Sequence, residues 1–303
     1  MDKGTFKLFL RLSRPLFLLG AALLYALGAG IAHYLGARID WDIFLSGQLW
    51  VSLLQLSTHF LNEYYNAPGD IQNLNRTLLT GGSGAIGPGK LPRRVALIAG
   101  LTCLAALASF SVLMIVWIRP APTAYLIMLL GFLGAFFYSA PPIRLESSGY
   151  GELTTSVMLT FLVPAYAFVL QMGELHRLVS MTAFPLTALH LAMFLAFELP
   201  DYVADIKNEK KTLMVRFGWQ AGIILHNMLV LSAYFLLILA ATFGYPWFAT
   251  WPALLTFPLG IFQILQMRRI ASGSKPQWNF LTIGAMALFG AMVYMIAFAF
   301  WIN

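Results

Sequence analysis

Residues 62–70 read NEYYNAPGD and close a mostly apolar run, WDIFLSGQLWVSLLQLSTHFL. On a helix turning about 100° per residue, Gln55, His59, Asn62 and Asn66 fall within one narrow arc, with Glu63 at its edge. Pro68 and Gly69 are expected to end that helix and to leave Asp70 in the following turn. A second cluster, FELPDYVADIKNEKKTLMVRFG, sets Glu198, Asp201 and Asp205 at i, i+3 and i+7 on one helix face. Lys207, Lys210, Lys211 and Arg216 follow it closely. A polar helix end in water accounts for one or two such residues, but less well for a stripe that continues a Gln and a His inside an apolar run. Adjacent carboxylates repel and are best tolerated when a cation bridges them. Hard oxygen donors suit Mg²⁺, which typically takes one or two carboxylates plus substrate phosphates. Lysines such as Lys207 and Lys211 would meet the remaining phosphate charge. Two half-sites of this kind imply a Mg²⁺–diphosphate ligand whose apolar tail lies among helices.

The elements that must position these residues follow from composition. The 303 residues are 59% hydrophobic and 10% charged, with mean hydropathy +0.76. Soluble domains carry roughly 25% charged residues, so a soluble globule is excluded. Repeated apolar runs of about 20 residues mark an all-α polytopic membrane protein. A β-barrel would instead show short alternating segments. Spans are expected at about 15–36, 43–65, 95–117, 123–140, 153–172, 179–200, 219–242, 247–266 and 279–302, with kinks at Pro164 and Pro185. These nine form one transmembrane domain over residues 1–303. The first run is read as a retained span, because no small-residue cleavage site follows it. The single cysteine, Cys103, lies in an apolar run and excludes a disulfide framework.

Of the 19 Lys and Arg residues, all but Arg38, Arg119 and Arg177 fall on the N-terminal side of this map. The positive-inside rule then puts the N-terminus and both acidic clusters at the cytoplasm and the C-terminus outside. The net charge of +7 is assigned to topology and anionic headgroups, and no nucleic-acid partner is expected.

NEYYNAPGD resembles the NDxxDxxxD first motif of the UbiA family of intramembrane prenyltransferases. DYVADIKNEKKTLMVRFG resembles their second motif, DxxxD followed by GK-[KR]-TL-x-VR-[LF]-G. YSAPPIRLESSGYGEL, at 138–153, resembles the family's loop after span four. The resemblance covers nearly the whole chain. It implies that Asn62, Asn66 and Asp70, with Asp201 and Asp205, hold Mg²⁺ and the diphosphate of an allylic polyprenyl donor. It implies that Tyr138 and Arg144 help to position that diphosphate, and that Asp70, Asp201, Asp205 and Tyr138 are catalytic. Two residues depart from the pattern. Glu63 replaces the usual first Asp, and Asn66 replaces the second. Asn66 ligates through its carbonyl without bringing charge, so either the site holds Mg²⁺ more weakly or Glu63 compensates as a further ligand.

TGGSGAIGPGK resembles the glycine-rich loop of the 1,4-dihydroxy-2-naphthoate branch, as does PDYVADIKNEKKTL. YSAPPIRL resembles the chlorophyll synthase and geranylgeranylglyceryl phosphate branches. The expected reaction is Mg²⁺-dependent prenyl transfer to an aromatic quinone precursor, in menaquinone biosynthesis, at a prokaryotic-type cell membrane. The alternatives are 4-hydroxybenzoate, a chlorin or a glycerophosphate lipid as acceptor, or a transporter of an anionic lipid. GAIGPGKL mimics a phosphate-binding loop, but Leu91 stands where Ser or Thr should ligate and no strand precedes it. His59 is read as a packed histidine, with acceptor binding as the sharper alternative.

Overall fold

The computed structural model describes residues 3–303. Helices α1 (Lys3–Leu12), α2 (Pro15–Tyr34), α3 (Trp41–Gln72), α4 (Arg93–Trp117) and α5 (Pro122–Ser139) open the chain. A short 3-10 turn, α6 (Gly151–Val157), a π turn (Met158–Leu162) and α7 (Val163–Met172) follow. Then come α8 (Arg177–Lys207), the short α9 (Leu213–Phe217), α10 (Trp219–Thr242), α11 (Trp247–Leu254), α12 (Phe257–Ala271) and α13 (Trp278–Ile302). Among the described residues there is no strand, and an isolated bridge joins Ile86 to Leu91.

Every expected span coincides with a helix or with consecutive helices. Among the described residues seven stretches are long and apolar enough to cross a membrane, and the α11–α12 pair makes an eighth if it is one crossing bent by 40°. The bend falls at Leu255–Thr256, just before Pro258, whose ring nitrogen cannot donate to the preceding turn. The 32-residue α3 is long enough, but Gln48, Gln55 and His59 lower its hydropathy. Pro164 is accommodated by the π turn immediately before it, and α8 continues through both Pro185 and Pro200.

The end of α3 departs from expectation. The helix does not stop at Pro68–Gly69; it runs to Gln72, so Asp70 sits in its last turn. Proline cannot donate to the carbonyl four residues back, which belongs to Tyr64. Arg93 fills that vacancy: its Nε donates to Tyr64 O at 2.6 Å while its guanidinium lies 4.1 Å from the Tyr64 ring centre.

The main core gathers around α2, which packs against α3, α7 and α13, and around α8, which packs against α10. Gly28 lets α2 meet α7 backbone to backbone, since a Cβ there would collide with the Pro164 carbonyl. A smaller apolar cluster of Leu12, Phe60, Ala67, Ala85, Ile86, Leu91 and Ala96 seats the glycine-rich loop after α3 against α1, α3 and α4. Large apolar side chains such as Ile98, Val112, Phe184, Ile224 and Phe235 remain exposed on the flanks, as a lipid-facing surface requires.

Candidate active site

The C-terminal ends of α3, α5 and α8 meet the glycine-rich loop and the α5–α6 loop around a polar chamber of about 150 Å³. Asn62, Asn66, Asp70, Tyr138, Glu146, Glu152, Glu198, Asp201, Asp205, Lys210 and Arg14 all line it. Both acidic clusters therefore share one space, although they lie far apart along the chain.

The α8 half is the simpler one. Asp201 is held from the glycine-rich loop: Asn73 Nδ2 donates to Oδ1 at 2.6 Å and Gly81 N to Oδ2 at 3.0 Å. Among the described residues the carboxylates of Asp205 and Asp70 accept no hydrogen bond. Glu198 and Glu152 form the rear wall. Glu198 Oε2 accepts Met214 N at 3.0 Å and Glu152 Oε1 accepts Leu213 N at 2.8 Å, which fastens the start of α9.

Helix α8 stops with Glu209 at φ 55° and Lys210 N donating to Asp205 O at 2.9 Å, so the chain reverses there. This turn decides which lysine faces inward. Lys210 lines the chamber, while Lys207 and Lys211 are exposed outside it. Burial works against the Lys210 ammonium, but the charges of Glu146, Asp70, Asp205 and Asp201 outweigh it and raise its pKa above the ordinary lysine value. Sequence reasoning selected Lys207 and Lys211 from a run in which only the reversal at Glu209 separates them from Lys210.

The α3 half is more intricate. Glu63 is buried and does not line this chamber; with Asp70 it lines a neighbouring pocket beside the glycine-rich loop. It pairs with Arg14, whose Nε lies 3.0 Å from Oε1 and whose Nη2 also reaches that oxygen. Ser83 N donates to Oε1 at 2.6 Å and Ser83 Oγ to Oε2 at 2.7 Å. Its carboxylate is thus consumed in joining the α1–α2 corner, α3 and the glycine-rich loop. Asn62 and Asn66 do face the chamber. The Nδ2 of each donates to Glu146 Oε2, and Asn62 Nδ2 also reaches Ser139 Oγ at 3.2 Å. Burial pushes the Glu146 carboxyl above its ordinary range, against the pull of Lys210 and the Asn66 amide. Arg144 is exposed, does not line the chamber, and approaches Glu146 Oε1 at 3.9 Å. Glu146, Glu152 and Arg14 were in plain sight in the sequence. None carried a spacing signal, because their elements meet the acidic helices only in three dimensions.

A second, apolar chamber of about 170 Å³ opens from the first toward the middle of the bundle. Trp50, Ile127, Gly131, Met158, Leu162 and Tyr166 line its depth. Arg14, Phe17, Asn62, Tyr138, Phe194 and Phe197 border both chambers. His59 lines the apolar one, and its Nδ1 lies 3.0 Å from Ser13 O, which fits a packed histidine pinning α3 to the α1–α2 corner.

Among the described residues no three His, Cys, Asp or Glu side chains converge into a ready-made metal cage. A Mg²⁺ site of one or two carboxylates completed by phosphate and water needs no such cage. The chamber fits that demand: Asn66 Oδ1 and Glu146 Oε1 are buried oxygen acceptors without a hydrogen-bond partner. Asn66, Asp70, Glu146, Asp201 and Asp205 are the side chains from which one or two carboxylates and an amide oxygen could hold an ion. Glu63 is not in that set.

The family model described as the UbiA prenyltransferase family matches residues 18–289. The 1,4-dihydroxy-2-naphthoate octaprenyltransferase of Bacillus subtilis (strain 168) is 22% identical over 192 residues, which cover 62% of this chain and 59% of that protein. The match thus spans less than two thirds of that relative. A UbiA homolog from Archaeoglobus fulgidus bound to GPP and Mg²⁺ superposes with a TM-score of 0.67 at 19% identity, covering 98% of this chain and 100% of that one. A digeranylgeranylglyceryl phosphate synthase gives a TM-score of 0.63 at 14% identity, covering 98% of each chain. An apo UbiA homolog from Aeropyrum pernix K1 gives 0.66 at 15% identity, covering 91% and 96%. These likenesses establish a shared fold.

Proposed function

Since the chain belongs to the UbiA prenyltransferase family, we propose that it transfers a polyprenyl group from an allylic diphosphate to an aromatic acceptor, with a 1,4-dihydroxy-2-naphthoate-type quinone precursor as first choice. The observation that carries this reading is the pair of abutting chambers, one polar and cationic at Lys210 and Arg14, the other apolar and deep. Together they suit an amphiphile with a diphosphate head and an isoprenoid tail. The B. subtilis relative supports the choice of acceptor.

Bound Mg²⁺ would neutralise charge on the leaving diphosphate. Lys210 adds fixed positive charge to the same space, and Arg14, held by Glu63, borders it. Tyr138 and Asn62 border both chambers, at the level where head meets tail. Phe17, Phe194 and Phe197 wall the same junction; they exclude water from the allylic carbon and offer it aromatic faces while it is electron-poor. The acceptor ring then forms a bond to that carbon as its bond to diphosphate breaks, and the ring regains aromaticity by losing a proton, or CO₂ where the attacked carbon bears a carboxylate. No Ser or Cys nucleophile is required.

The active end carries the basic loops, so the reading places it at the cytoplasmic surface. Lys90→Cys and Lys207→Cys in a Cys103→Ser background should label with an impermeant thiol reagent only from the cytoplasmic side. Labelling from outside would invert the topology. The decisive assay incubates membranes holding the protein with radiolabelled polyprenyl diphosphate and a panel of naphthoate, benzoate, chlorin and glycerophosphate acceptors. Transfer should require Mg²⁺ and stop in EDTA. Full activity in metal-free buffer, or no transfer to any acceptor, would sink the proposal.

A further inference from the structure

We propose that Glu146 is a divalent-metal ligand of this site and replaces the carboxylate missing at Asn66. The inference rests on the function proposed above. A family member is expected to carry an acid where this chain has Asn66, so the α3 half-site lacks one negative charge. Glu63, the neighbouring acid in sequence, does not restore it, because Arg14 and Ser83 consume both of its oxygens. Glu146 lies instead against the two asparagines themselves.

Its geometry is that of a ligand, not of a surface acid. Glu146 is 7% exposed, as is Asn66. Both asparagine amides donate to one oxygen, Oε2, and Oε1 is left buried without a hydrogen bond. The same bonds orient Asn66. Turning its amide over would set Oδ1 against a carboxylate oxygen, so Nδ2 faces Glu146 and Oδ1 stays buried with no donor. Asn66 and Glu146 thus line one chamber with Asp70, Asp201 and Asp205, and each keeps a buried oxygen without a hydrogen-bond donor, Glu146 Oε1 having only the exposed Arg144 guanidinium 3.9 Å away. Buried acceptors without donors are costly, and a hard cation satisfies both at once. The loop after α5 has thus taken over a charge that a helix position would otherwise supply.

The test uses the full chain in detergent, with Mn²⁺ as a paramagnetic substitute and farnesyl thiodiphosphate as an unreactive donor analogue. Free Mn²⁺ is followed by electron paramagnetic resonance, so no turnover is needed. Glu146→Gln should weaken Mn²⁺ binding at least about tenfold. Asn66→Asp combined with Glu146→Gln should return it to within about threefold of the wild type, because the carboxylate has only changed its point of attachment. Melting temperatures in EDTA should agree across these proteins. Wild-type binding in Glu146→Gln, or a paired variant as weak as Glu146→Gln, overturns the assignment. A second readout identifies the ligand: with carboxyl-¹³C glutamate, bound Mn²⁺ should show coupling to a glutamate carbon in the wild type and lose it in Glu146→Gln, since Glu152 and Glu198 line the same chamber. Absence from the wild type, or persistence in the variant, overturns the assignment. A wild type that binds no Mn²⁺ even with the analogue overturns the proposed function and this assignment together. Wild-type binding that is indifferent to Glu146 overturns this assignment alone.

Discussion

At the end of α8, Asp201 and Asp205 stand one turn apart and both face the chamber; at the end of α3, Asn62 and Asn66 stand one turn apart and face it from the other side. The periodicity is the same, but the α8 pair is charged and the α3 pair is neutral. Helix α8 supplies its charge directly. At Asn62 and Asn66 helix α3 supplies amides, which meet a charged partner, Glu146, on another segment. It sends Glu63 to a latch with Arg14 and Ser83 and brings charge of its own to the chamber only at Asp70, in its last turn. A stripe of polar residues thus identifies a helix face without stating which members carry charge to the site and which hold the scaffold.

Five substitutions probe this contrast. Glu63→Ala should have the largest effect, and the effect should be on stability. It leaves the Arg14 guanidinium without its counter-ion in a buried setting, a change that costs about 3–5 kcal/mol. Thermal unfolding in detergent with EDTA should show a large drop in melting temperature. Unchanged stability with weakened Mg²⁺ binding would instead make Glu63 a ligand and erase the contrast.

Asp205→Ala should do the reverse. Its carboxylate holds no protein partner, so the melting temperature in EDTA should stay near the wild type, while the initial rate of prenyl transfer falls roughly a hundredfold or more. A wild-type rate and Mg²⁺ dependence would reduce the α8 cluster to a polar helix end.

Lys210→Ala and Lys211→Ala form an internal control, being neighbours that face opposite ways. Loss of the inward cation should raise the KM for the prenyl diphosphate about tenfold, in keeping with one charge-assisted contact. Loss of the outward one should leave KM within about twofold. Equal effects in kinetic assays would mean that the reversal at Glu209 does not select Lys210.

The smallest effect is expected for Arg93→Ala, which strips the Tyr64 carbonyl of its donor behind Pro68. The loss is about 1 kcal/mol. Hydrogen exchange should report faster opening of residues 64–72 with the rest of α3 unchanged. Identical protection would show that the last turn does not depend on that bond.

Much of the architecture was legible because it depends on local chemistry. Apolar runs long enough to span a bilayer admit little but helices, since a backbone in lipid must satisfy its own hydrogen bonds. The expected span positions therefore match helices throughout, and helical periodicity alone put Asn62 with Asn66 and Asp201 with Asp205. What failed depended on a partner distant in sequence or, at Lys210, on a local reversal that helical periodicity does not announce. The helix past Pro68 survives because Arg93, 25 positions further on, supplies a donor. Glu63 leaves the chamber because Arg14 and Ser83 compete for it, and Lys210 enters it because the chain reverses at Glu209.

The amino-acid sequence thus settles the helices, their apolar faces and the two polar stripes, for these follow from residue type and a fixed rise and turn. The tertiary structure alone decides which charges are free to act. A buried charge is governed by what lies within a few ångströms of it, and those neighbours come from α1, the glycine-rich loop and the α5–α6 loop, which no local period can bring together.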